Sequence, residues 1–116
     1  MALGNPTYVL MPRILVFLAI LAAAVIGAAA AQDRPTISQR GRVFVPAEIT
    51  IKVNETVTIR NDDDVLHHVY VESPTFEFDS GEQPPGKPVS ITFTQRGDFE
   101  VRCDIHPKML LVVHVL

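Results

Sequence analysis

A single cysteine, no tryptophan and 7% aromatic residues leave this 116-residue chain with few of the usual means of bracing a small fold. Cys103 alone excludes an internal disulfide, a four-cysteine zinc site and a two-cysteine redox motif. Excess charge of either sign is also small, with ten Lys plus Arg against thirteen Asp plus Glu and a net charge of −3. That balance supplies no general attraction for a nucleic acid backbone. Nine prolines and the lack of a helical apolar stripe after residue 32 argue against a helical bundle. The length suits one domain.

The one long hydrophobic run is Ile14 to Ala31, preceded by Arg13 and ending in Ala28-Ala29-Ala30-Ala31 before Gln32-Asp33-Arg34-Pro35. A basic head, an apolar stretch and small residues at its end are the pattern of an export signal. Residues 1–31 are therefore expected to be a signal peptide cleaved near Ala31, with Met11 an alternative start. An uncleaved membrane anchor is the competing reading, since eighteen apolar residues approach the span of a bilayer. Residues 32–41 read as a flexible lead-in and 42–116 as the folded domain. All thirteen acidic residues and nine of the ten basic ones follow residue 31, so the exported part carries −4.

From Glu48 onward apolar residues alternate with polar ones. Ile49, Ile51 and Val53 share one face, then Val57 and Ile59, Val69 and Val71, Phe76 and Phe78, and Val89, Ile91 and Phe93. Asn54-Glu55, Asn61 to Asp64, Pro84-Pro85-Gly86 and Gly97 interrupt the pattern as turns. Phe99, Val101 and Cys103 share a face, and Leu110 to Val115 forms an apolar last strand. Short strands at this spacing predict an all-β, antiparallel sandwich of about seven strands. Strand parity turns Cys103 inward with Val101, and His67 inward with Val69.

Cys103-Asp104-Ile105-His106-Pro107-Lys108-Met109 places a thiol, an imidazole and a thioether within seven residues. Such soft donors, joined by a second imidazole, make the two-His, one-Cys set with a weak axial Met that suits copper electron transfer. His67 is placed to supply that imidazole. Zinc is the rival metal, because Cys and His bind it too. Each residue also has an ordinary reading: a buried free cysteine, a methionine filling the core. His114 reads as a surface residue of the last strand.

Residues 43–115 resemble a cupredoxin, the type I blue copper fold, of the plastocyanin and amicyanin kind. The resemblance rests on Phe44-Val45-Pro46, Ile49 to Val53, Val57 to Asn61 ahead of His67-His68-Val69, and Gly97 to Cys103 leading into the loop. Cys-x2-His-x2-Met, with Pro107 directly after His106, is similar to the amicyanin loop. The resemblance implies a Greek-key β-sandwich, one copper ion and His67, Cys103, His106 and Met109 as its ligands. Two departures stand out. His68 occupies the place where the family usually has an Asn, and Met109-Leu110-Leu111 lacks the Gly often found after the Met.

The function so implied is single-electron shuttling by an exported, periplasmic monomer. Its partner would be a transiently bound redox protein, such as a c-type cytochrome or an oxidoreductase, meeting the edge of His106 near Pro107, Leu66 and Val65. Asp62, Asp63 and Asp64 would either steer a basic partner or form a solvated turn. The alternative function is a copper carrier or storage module using the same ligands. An enzyme is not expected, because four protein ligands leave no open position for a substrate.

Overall fold

Residues 3–4 and 34–116 are described by the computed structural model, so the expected leader lies outside the described residues apart from Leu3 and Gly4. Alternation along the chain translates into burial because successive side chains of a strand face opposite ways. Nine strands result among the described residues: β1 (Thr36–Gln39), β2 (Phe44–Val45), β3 (Glu48–Ile51), β4 (Thr56–Asn61), β5 (Val69–Glu72), β6 (Glu77–Asp79), β7 (Pro88–Thr92), β8 (Gly97–Cys103) and β9 (Leu110–Val115). They make a four-stranded sheet, β2-β1-β4-β7, and a five-stranded sheet, β3-β9-β8-β5-β6. One core lies between them, with Val57, Ile59 and Ile91 from the first sheet meeting Val69, Val101, Leu111 and Val113 from the second.

The all-β sandwich matches the sequence expectation, with two differences. There are nine strands rather than about seven, and both sheets are mixed, since β1 runs parallel to β4 and β3 parallel to β9. The added strand β1 falls within 32–41, the segment expected to be a flexible lead-in. Its sequence, Thr-Ile-Ser-Gln, carries one apolar residue and hence no alternation to read. The strand is held by register with β4, Ile37 opposite Ile59 and Gln39 opposite Asn61, and both Ile37 and Gln39 are fully buried.

The two ends of the sandwich differ. At one end Phe76, Phe93 and Phe99 pack with ring centroids 5.2 to 5.8 Å apart. There Asn54, at a positive φ that Asn tolerates better than most residues, donates its amide to the Phe93 carbonyl at 2.7 Å. Cys103 ends β8 four residues beyond Phe99, roughly 13 Å away at a strand rise of about 3.3 Å per residue. At that end β4 stops, β5 begins and β8 turns into β9.

Candidate metal centre

Cys103 enters the site because β8 keeps its inward parity to its last residue, with Cys103 opposite Val69 of β5. His67 lies two residues before Val69, on the same parity, and is fully buried. Its backbone forms a two-way bridge with Gln83, His67 N to Gln83 O at 3.0 Å and Gln83 N to His67 O at 2.8 Å. His106 comes from the turn after β8, which the Met109 amide closes by donating to the His106 carbonyl at 3.0 Å.

Three donor atoms converge. Cys103 Sγ lies 3.6 Å from His67 Nδ1 and 3.7 Å from His106 Nδ1, and the two nitrogens are 3.2 Å apart. Among the described residues this is the one group of three or more His, Cys, Asp or Glu side chains whose donor atoms gather closely enough for a metal. Cys103 and His67 are buried and His106 is partly exposed. Met109, the fourth residue singled out by the sequence, is 1% exposed and packs in the core next to this loop.

His68 goes elsewhere. Its ring faces outward and bonds the Asp79 carboxylate at 2.6 Å, while its backbone amide donates to Cys103 Sγ at 3.4 Å. An amide aimed at sulfur stabilises a thiolate without competing for the metal face. The Gly81 amide first, and then this bond to His68, hold the Asp79 carboxyl below its ordinary value.

Two of the three acids before His67 are tied into the structure. Asp62 accepts from Ser38 Oγ at 2.6 Å and lies 3.5 Å from Arg60. Asp63 Oδ2 is 2.8 Å from His67 Nε2, with only 10% of its side chain exposed, and it also accepts from the Gly41 and Arg42 amides. Burial pushes the Asp63 carboxyl up, but the bonds from Arg42, His67 and Gly41 outweigh this and hold it below its ordinary value. Neither Asp62 nor Asp63 is a free surface charge; Asp64 alone is exposed. For His106, desolvation first and then the nearby His67 and Arg42 charges lower its pKa, against an opposing pull from Asp63.

Behind His67 runs a buried amide network that sequence reasoning missed. Gln83 Nε2 donates to the Ile59 and Lys87 carbonyls, and Gln83 Oε1 accepts from Gln39 Nε2 at 2.7 Å. Asn61 Nδ2 donates to the Val65 and Gln83 carbonyls, and Asn61 Oδ1 accepts from the Asp63 amide. Gln83 sits in a Pro- and Gly-rich connection with no pattern to mark it.

Thiol, two imidazoles and an adjacent buried thioether are a soft donor set, with no carboxylate among the converging atoms. That composition fits copper better than a hard cation, which takes oxygen donors. Among known proteins, the family described as "Cupredoxin-like domain" matches residues 13–113. Methylamine utilization protein MauL of Methylophilus methylotrophus is 34% identical over 67 residues, covering 55% of this chain. The chain spans 38% of that relative's length. A copper-containing nitrite reductase from Thermus scotoductus SA-01 is similar in structure, with a TM-score of 0.63 and 29% identity over 71% of this chain and 22% of the reductase. An oxidised amicyanin mutant gives a TM-score of 0.67 at 23% identity, covering 77% of this chain and 88% of that one. A purple cupredoxin from Nitrosopumilus maritimus gives 0.64 at 23% identity, over 71% of this chain and 99% of its own. The chain therefore belongs to the cupredoxin-like family, and the cofactor suited to its buried thiol and imidazole cluster is a type I copper ion.

Proposed function

We propose that this protein is an exported, monomeric one-electron carrier in which His67, Cys103, His106 and Met109 hold the copper. The observation that carries the reading is the convergence of Cys103 Sγ with the Nδ1 atoms of His67 and His106. Residues 1–31 serve as the export signal and the sandwich that follows is the working domain, now including β1. Bound copper supplies the one-electron Cu(II)/Cu(I) couple.

The chain's own residues prepare the site. Burial of His67 and Cys103 excludes water, and the His68 amide holds the sulfur in place. The Gln83 bridge fixes the backbone of His67, so its ring need not move when the charge of the site changes. His106 is the one member of the cluster partly exposed, which makes its ring edge the route for an electron to a redox protein bound beside it. A small, weakly held interface serves such a partner, which must leave after transfer. Four protein donors on one ion leave no open position for a substrate, which favours this reading over catalysis, and MauL and the nitrite reductase keep the activities in their names as their own.

The test is the visible absorption and electron paramagnetic resonance spectrum of residues 32–116 with Cu(II), beside Cys103→Ser. An intense thiolate-to-copper band with narrow hyperfine splitting, absent in the variant, is the expected result. A colourless protein overturns the reading and makes metal carriage or zinc binding the leading function.

A further inference from the structure

A carboxylate on the far side of a metal-binding imidazole changes what that imidazole can do. His67 presents Nδ1 to the cluster and Nε2 to Asp63 Oδ2 at 2.8 Å. A carboxylate accepts only, so the bond places the proton on Nε2 and leaves the Nδ1 lone pair free for a metal. The Asp63 side chain is no wandering surface acid. Its oxygens are engaged by the Gly41 and Arg42 amides, and its own amide donates to Asn61 Oδ1 at 3.0 Å. Asn61 is 1% exposed and is itself tied to the carbonyls of Val65 and Gln83. The carboxylate is thus pre-positioned from the β1–β2 turn and from the end of β4, before any metal arrives.

We propose that Asp63 is a positioning and tuning residue for His67, fixing its tautomer and setting the balance of the site toward Cu(II). The inference rests on the electron-carrier reading for its second half only. A fixed negative charge bonded to the ligand ring strengthens that ring as a donor and stabilises the more positive oxidation state. The reduction potential is therefore lower than it would be with a neutral group at position 63. Asp62, one residue away, carries the same charge but bonds Ser38 and Arg60, so it separates direct bonding from general electrostatics.

The experiment compares the full domain with Asp63→Asn, Asp63→Ala and Asp62→Asn. In the metal-free protein, nitrogen chemical shifts should show His67 protonated at Nε2, with Asp63→Ala mixing the two tautomers. With copper, Asp63→Asn should change the Cu(II)/Cu(I) affinity ratio by about tenfold, an upward shift of about 59 mV for one electron. Asp62→Asn should move it far less. A His67 protonated at Nδ1 in the metal-free protein overturns the proposal, as do equal shifts in the Asp62 and Asp63 variants. A protein without the blue band, yet with the Nε2–H tautomer that Asp63→Ala disturbs, overturns the electron-carrier reading and supports the positioning role.

Discussion

The aromatic end and the metal end of this sandwich are built on different principles. At the first, Phe76, Phe93 and Phe99 fill space and need no polar partner. At the second, Gln39, Asn61, His67 and Gln83 are all buried, and apart from Gln39 Oε1 no buried side-chain nitrogen or oxygen among the described residues lacks a partner. Buried polar groups cost free energy unless each is hydrogen-bonded, so the metal end is fixed by the direction of its bonds, where the aromatic end is fixed by packing. The lesson is a division of labour along β8: Phe99 serves the fold and Cys103 serves the site.

That comparison breaks most sharply at Phe93. Phe93→Ala should cost about 3–5 kcal/mol by the usual cost of emptying a buried aromatic site, read from denaturant midpoints. The copper spectrum of the fraction still folded should not move, because the cavity opens at the other end. A changed spectrum would show that the two ends are coupled.

The mirror experiment is Gln83→Leu. It keeps side-chain volume but removes the donor to Ile59 and Lys87 and the acceptor for Gln39. An unsatisfied buried polar group costs about 1–3 kcal/mol, so a loss near the upper part of that range is expected in the same denaturant assay. Unlike Phe93→Ala, this change should also alter the spectrum, because the Gln83 side chain, through Ile59, Lys87 and Gln39, braces the backbone that pairs with His67. An unchanged spectrum would reduce the amide network to a purely structural role.

How much of this was legible in the sequence follows the same division. Val57, Ile59, Phe99, Val101 and Cys103 announce β4 and β8 through strict alternation, and His67 and Cys103 reach the site by parity with Val69 and Val101. The local Cys103 to Met109 spacing marks the metal loop without help from the fold. What could not be read was burial created by distant partners. Gln39 is buried against Gln83, forty-four residues away, and the strand that carries it has one apolar side chain. Asp63 looks like a surface turn until the 41–42 backbone closes over it.

A third and smallest effect lies outside the core, on the solvent face of the five-stranded sheet. His114 of β9 bonds Asp98 of β8 through Nδ1 and Glu48 of β3 through Nε2, each at 2.6 Å. Hydrogen bonds that the imidazole donates to the Asp98 carboxylate first, and then to Glu48, raise its pKa above the ordinary 6.5. A raised folded value means that the stabilisation is complete at pH below about 6.5. It fades as pH rises through the folded value. His114→Gln should flatten the midpoint-against-pH curve over that window and leave the copper spectrum alone, sharpening the distinction between a surface clamp and the buried site. An unflattened curve would assign the pH dependence to other groups.

The pairing of Val69 with Cys103 delivers His67 across thirty-six residues of chain, whereas Cys103, His106 and Met109 are local neighbours. On the proposed ligand set, an unfolded chain already carries a short soft chelate and lacks only the imidazole that sheet closure brings. A ligand that binds the unfolded state stabilises the native one only by the difference between the two affinities. Copper met before folding is then a cargo the chain can hold while it folds, and the thermal stability gained on loading measures what His67 adds to that loop.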